Sequence, residues 1–243
     1  MDYSILLPRS SDYVATQPLT SFDPSQFDPA DPSSAVGFSS VVDFFYPDQA
    51  QRMLIFDLIQ TLWDRSDPDG YATHMTSSAE GGLLEHTPDH HALLQIAWGD
   101  HQVANITAED EARTIGAGAI DPAVLSTRLS GSNDPGGPYS YDPSSPFWGL
   151  PAIASFPYAG SAIVMFDSGP VGASPYGTDP PPPSDVPNRT GQDPHEAPRR
   201  ACAAQDQKDA FLAIGGMVTE PSQPDGPAPP PYFAGGWQGT CAD

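Results

Sequence analysis

Two short apolar runs stand out in a chain otherwise rich in turn-forming residues. Ala92-Leu-Leu-Gln-Ile-Ala-Trp98 and Ala162-Ile-Val-Met-Phe166 are nearly continuous and do not alternate polar with apolar positions. Runs of this length and pattern are expected of central parallel strands covered on both faces. The first leads through Gly99-Asp100-His101 to a helical stretch over 107–115, where Thr107 puts a hydroxyl, and Glu109 and Asp110 put acids, at the predicted start. The second leads through a Pro-rich loop, 169–194, to His195 and a helix over 203–214 closed by Gly215-Gly216. The two strands are expected to be parallel neighbours joined by a crossover that contains the helix at 107–115.

Upstream, Met53, Leu54, Phe56, Leu58, Ile59, Leu62 and Trp63 are too closely spaced for a narrow apolar stripe. They predict a largely buried helix from Tyr46 to about Arg65, with Pro47 in its first turn. Asp67-Pro-Asp-Gly70 then reads as a turn, since it lacks the other spaced oxygens and the closing Glu of a calcium loop. Residues 118–160 read as loop with interspersed aromatics, among them Tyr139, Tyr141, Phe147, Trp148, Phe156 and Tyr158. Residues 11–45 carry scattered Phe side chains in a Ser/Asp/Pro background, the pattern of a loop draped on a core. The tail, 217–243, reads as irregular. Together these give an α/β class with long Pro/Gly-rich loops.

Composition sharpens this picture. The chain has 243 residues, 30 of them Pro and 22 Gly, with 38% hydrophobic residues, so one core is expected to carry a large share of loop. Nine basic against 31 acidic residues give a formal charge of −22, and Lys208 is the only lysine. Such a surface repels phosphate backbones and anionic lipid, which sets nucleic acid aside as a partner. Many of the acids sit in Asp-Pro pairs, Asp193-Pro194 among them, where they form turns. Asp57 interrupts the best apolar run, so no membrane span is expected, and the first residues lack the basic start of a signal peptide. Cys202 and Cys241 allow a single bridge or two unpaired thiols, and the sequence favours the bridge only slightly. Asn105-Ile-Thr107 and Asn188-Arg-Thr190 match the glycosylation sequon.

The chemistry concentrates at the ends of the two strands. Asp100 ends the first, where sites form in open α/β sheets, and His195 lies in the loop after the second. A carboxylate that fixes an imidazole, which in turn takes a proton from a nucleophile, is the logic of a catalytic triad. The chain order acid, then histidine, is that of the α/β hydrolases. Leu94-Gln-Ile-Ala-Trp-Gly-Asp100-His-Gln-Val103 resembles the penultimate strand and acid turn of that superfamily. Asp193-Pro-His195-Glu-Ala-Pro-Arg199 resembles the histidine loop of secreted bacterial members. Phe56–Arg65 and Tyr3–Ser10 are also similar to segments of such proteins. The resemblance implies a partial α/β-hydrolase sheet of esterase or lipase type, made of the last parallel strands and flanking helices. Asp100 and His195 would be its catalytic acid and base and a small ester or acyl compound its substrate. It implies no cofactor and favours an extracellular or envelope location.

The nucleophile is missing. No Gly-x-Ser-x-Gly occurs, and the nearest match, Gly37-Phe-Ser39-Ser-Val41, lacks the second Gly and a preceding apolar strand. The chain therefore reads as the C-terminal portion of such a domain, inactive alone, with a segment missing before Met1. Its parts are a loop-rich start (1–45), a helix, strand and acid turn (46–117), a loop insertion (118–160), a strand, histidine loop and helix (161–216) and the tail. The alternative is a non-catalytic acidic binding or surface domain. His90-His91 and His101 flank one strand, but adjacent strand residues point to opposite faces, and His74 and His86 lack ligand spacing. No metal site is expected.

Overall fold

The computed structural model describes residues 10, 45–120, 123–124, 128, 147–182 and 187–221. Ser39, Tyr139, Tyr141, Cys241, the phenylalanines before Phe45 and the tail from 222 lie outside the described residues. Along the chain run helix α1 (Gln49–Trp63), a 3₁₀ helix (Pro68–His74), strand β1 (Leu93–Ala97), helix α2 (Asn105–Thr114) and strands β2 (Gly118–Ile120), β3 (Ala152–Ile153) and β4 (Ala162–Phe166). A short helix α3 (Ala197–Arg200) and helix α4 (Cys202–Leu212) follow.

The strands form one all-parallel sheet in the order β1-β4-β2-β3, which places the protein in the α/β class. β1 and β4 pair in register from Leu93 opposite Ala162 to Ala97 opposite Phe166. The expected neighbours are therefore neighbours, but their connection is longer than predicted. After β1 the chain passes through α2 to β2, on the far side of β4, and visits β3 before returning to the middle of the sheet. The loop reading of 118–160 is corrected accordingly. β2 and β3 have three and two residues, too short for periodicity to register.

β4 is buried along its whole length, and its alternating side chains divide the core. Ile163 and Met165 pack with Trp98, Phe147 and α2 residues Ala108 and Ala112. Ala162, Val164 and Phe166 pack on the other face with Ala201, Ala203 and Ala204, and with Val218. Trp98 stacks on Phe147 with ring centroids 5.8 Å apart. A continuous apolar run is what a strand between two helical layers requires.

Three helix expectations need correction. α1 begins at Gln49, because Asp48 caps it by accepting from the Gln51 N–H, and Pro47 stands outside. Nor is α1 largely buried: Leu54, Leu58 and Leu62 are 59%, 58% and 74% exposed, while Phe56 and Gln60 are buried. Apolar density reports a tendency to be covered, and among the described residues nothing covers that side. Thr107 does not cap α2, which starts two residues earlier; its hydroxyl instead donates to the Ala104 carbonyl.

Cys202 is disulfide-bonded. Among the described residues no helix is long and apolar enough to cross a membrane.

Candidate active site

Asp100 owes its position to a turn held from several sides. Gly99 leaves β1 at φ +81°, a left-handed conformation open to glycine. Its N–H donates to Asn105 Oδ1 (2.8 Å), while Asn105 Nδ2 donates to the Ala97 carbonyl (2.7 Å). Asn188 Nδ2, from the long loop, donates to the Gly99 and Asp179 carbonyls, both at 2.9 Å. Both sequon asparagines are thus buried and committed to backbone, so neither amide is free to carry a glycan. A Cβ on Gly99 would press into the Asp179 carbonyl oxygen and lie 2.7 Å from Thr178 Cγ2. Gly99→Ala should therefore destabilise the chain by about 2 kcal/mol, part backbone strain and part displaced loop. Urea unfolding of the two proteins checks this.

The loop after β4 is folded back by an ion pair. Arg128 Nε and one terminal nitrogen grip both oxygens of Asp167, at 2.7 and 3.0 Å. The same guanidinium donates to the Gly169 and Thr178 carbonyls at 3.2 and 2.7 Å. Thr178 forms an antiparallel bridge with Gly191, which returns Gln192–His195 to the carboxyl end of β1.

The two predicted site residues meet there. His195 Nδ1 lies 2.8 Å from Asp100 Oδ2. The other carboxylate oxygen accepts from the backbone N–H groups of Gln102 (2.8 Å) and Val103 (2.9 Å). Burial pushes the Asp100 carboxyl above its ordinary range, against the pull of these N–H groups and of His195. An ionised Asp100 can only accept, so Nδ1 donates, and in the neutral imidazole this leaves the lone pair on Nε2. Nε2 has no hydrogen-bond partner among the described residues, and the His195 side chain is 25% exposed against 7% for Asp100. The acid is enclosed and the imidazole has an open side, as general base chemistry needs.

His101, beside the acid, has a different role. Its Nε2 lies 2.9 Å from Thr178 Oγ1, which itself donates to the Thr190 carbonyl and so accepts from the ring. The ring thus ties the acid turn to the long loop. His74 Nδ1 lies 2.7 Å from the Gly82 carbonyl. Among the described residues no three His, Cys, Asp or Glu side chains gather at a possible metal site.

The residues around the pair escaped the sequence reading. Asn105 and Asn188 carried only the sequon, Asp193 looked like a turn former, and Arg128 sits in a Ser/Gly-rich stretch with no pattern. The one available signal was rarity: with 9 basic residues in 243, a lone arginine in an apolar fold invites a search for a buried acid.

No family model, no curated protein and no solved structure matches this chain.

Proposed function

We propose that this chain is the acid-and-base portion of an α/β serine hydrolase of esterase or lipase type, whose nucleophile and oxyanion donors come from outside it. The observation that carries the reading is the 2.8 Å contact between His195 Nδ1 and Asp100 Oδ2, at the carboxyl ends of two adjacent parallel strands. The second support is His195 Nε2, which has no hydrogen-bond partner among the described residues and is where a hydroxyl nucleophile would stand. The third is the sheet: β1, half-buried and covered by helices, pairs among the described strands with β4 alone, leaving an edge for a further parallel strand.

In this reading a serine hydroxyl supplied at Nε2 loses its proton to His195 as it attacks the ester carbonyl. Asp100 holds the tautomer and stabilises the imidazolium. His195 returns the proton to the leaving alcohol, and a water then deacylates the enzyme by the same route.

The test is cleavage of a chromogenic short-chain ester. The chain alone should give no turnover above a His195→Ala control. DNA upstream of Met1 should carry an in-frame Gly-x-Ser-x-Gly segment, and co-expressing that segment should give turnover that Asp100→Asn and His195→Ala each abolish. Turnover by the chain alone, lost in His195→Ala, would place a nucleophile within it, with Ser39 the first to mutate. No turnover in any combination would leave the acidic binding domain as the better reading.

A further inference from the structure

The carboxylate of Asp193 is used as fully as that of Asp100, and by both segments of the pair. Its Oδ1 accepts from the His101 N–H of the acid turn (3.2 Å) and the His195 N–H of the histidine loop (3.1 Å). Its Oδ2 accepts from the Gln102 side-chain amide at 2.6 Å. Three donors from two segments, over ninety residues apart in sequence, thus converge on one side chain. Asp193 does not compete for the imidazole, since only the backbone of His195 reaches it.

The geometry points to Asp193 as a positioning residue that fastens the acid turn, 100–103, to the histidine loop and so sets the Asp100–His195 contact. This rests on the reading of Asp100 and His195 as acid and base. Beyond the Asp100–His195 bond itself, the hydrogen bonds linking 192–196 to 100–103 among the described residues all end on Asp193. Pro194 adds rigidity: it is fully buried and restricts Asp193 to an extended backbone. The side chain therefore enters its cradle from a fixed direction. Its hydrogen bonds are charge-assisted, the stronger kind.

The chemistry makes the assignment separable from a general stabilising role. Asp193→Asn keeps an oxygen for the two backbone donors, and the Gln102 amide can turn over so that its oxygen accepts from the new NH₂. Asp193→Ala keeps nothing. Gln102→Glu sets two carboxylates against each other, and adding Asp193→Asn restores a donor between them.

The experiment reads the chain by NMR. One measurement is hydrogen exchange at the His101 and His195 amides; the other is the downfield imidazole proton shared with Asp100. In Asp193→Ala both amides should exchange at least about tenfold faster, and the downfield proton should vanish. Amides of β4 such as Val164 should keep their protection. Asp193→Asn should behave as wild type. Gln102→Glu should resemble the alanine variant, and Gln102→Glu with Asp193→Asn should recover. The proposal is overturned if Asp193→Ala leaves both amides and the downfield proton unchanged, or if the asparagine variant is as damaged as the alanine one. Should Asp193→Ala fail to fold, the Gln102→Glu pair decides, and absence of recovery in the double variant overturns it. A downfield proton that survives Asp100→Asn would instead sink the acid–base reading, while the two amides would still report on Asp193.

Discussion

Replacing Arg128 by alanine should lower the unfolding free energy by about 3–5 kcal/mol, the cost of stranding one member of a buried ion pair. Asp167 is 2% exposed, and without the guanidinium its carboxylate keeps, among the described residues, only the Gly169 N–H, at 2.9 Å. The Gly169 and Thr178 carbonyls lose a donor in the same step. The damage is also directional. Thr178 and the strand-like return through Gly191 place the histidine loop, so His195 should lose its contact with Asp100 before the sheet unfolds. Urea unfolding gives the first quantity, and the downfield imidazole proton reports the second. Arg128→Met with Asp167→Leu should recover much of the stability, because removing both charges removes the desolvation cost with the attraction. If the double variant is as unstable as Arg128→Ala, the ion pair is not the cause.

Glu109→Gln should stabilise the chain, and increasingly so as pH rises. Glu109 lies on α2, 4% exposed, and its carboxyl makes no hydrogen bond among the described residues. Burial pushes its pKa from 4.5 up to about 8; the Arg113 charge opposes this in part, and Asp110 adds to it. In the unfolded chain the group ionises near its ordinary value. Between those two values the folded state holds a proton that the unfolded chain has released. Stability from this group is therefore fully present below pH 4.5, falls as pH rises, and is lost once pH passes about 8. Each pH unit in that window is worth up to about 1.4 kcal/mol. Local relaxation reduces the total to roughly 2–5 kcal/mol. The difference between Glu109→Gln and wild type in urea midpoints, taken from pH 4 to 9, isolates this group from the other acids, Asp100 included. A difference that stays flat with pH would show that Glu109 is already ionised or solvated.

The same carboxyl shows how an element can be read correctly and its surroundings missed. Glu109 and Asp110 look favourable at a start near Thr107, where they would face the positive end of the helix, but α2 starts at Asn105 and has no acid in its first turn. That argument also assumes solvent, and Glu109 is only 4% exposed. α1 is the mirror case: its apolar residues suggest burial, yet much of that side faces outward. Periodicity records which side chains avoid water, while their neighbours come from elsewhere in the chain.

The local facts legible in the sequence were those set by a few adjacent residues. The two short continuous apolar runs point to β1 and β4, since such runs suit strands of a covered parallel sheet, and β4 is buried along its length while β1 is half-buried. Their order, the acid after one and the histidine after the other, was enough to select Asp100 and His195. Tertiary structure alone decided that the two side chains lie 2.8 Å apart, because that distance depends on a loop refolded by Arg128, Asn188 and Asp193. It also decided the sheet order, since β2 and β3 are too short to leave a signal and gain their stability from pairing and packing. Residues whose work is to hold backbone carry no periodicity and no distinctive spacing. Their partners are fixed only when distant segments meet.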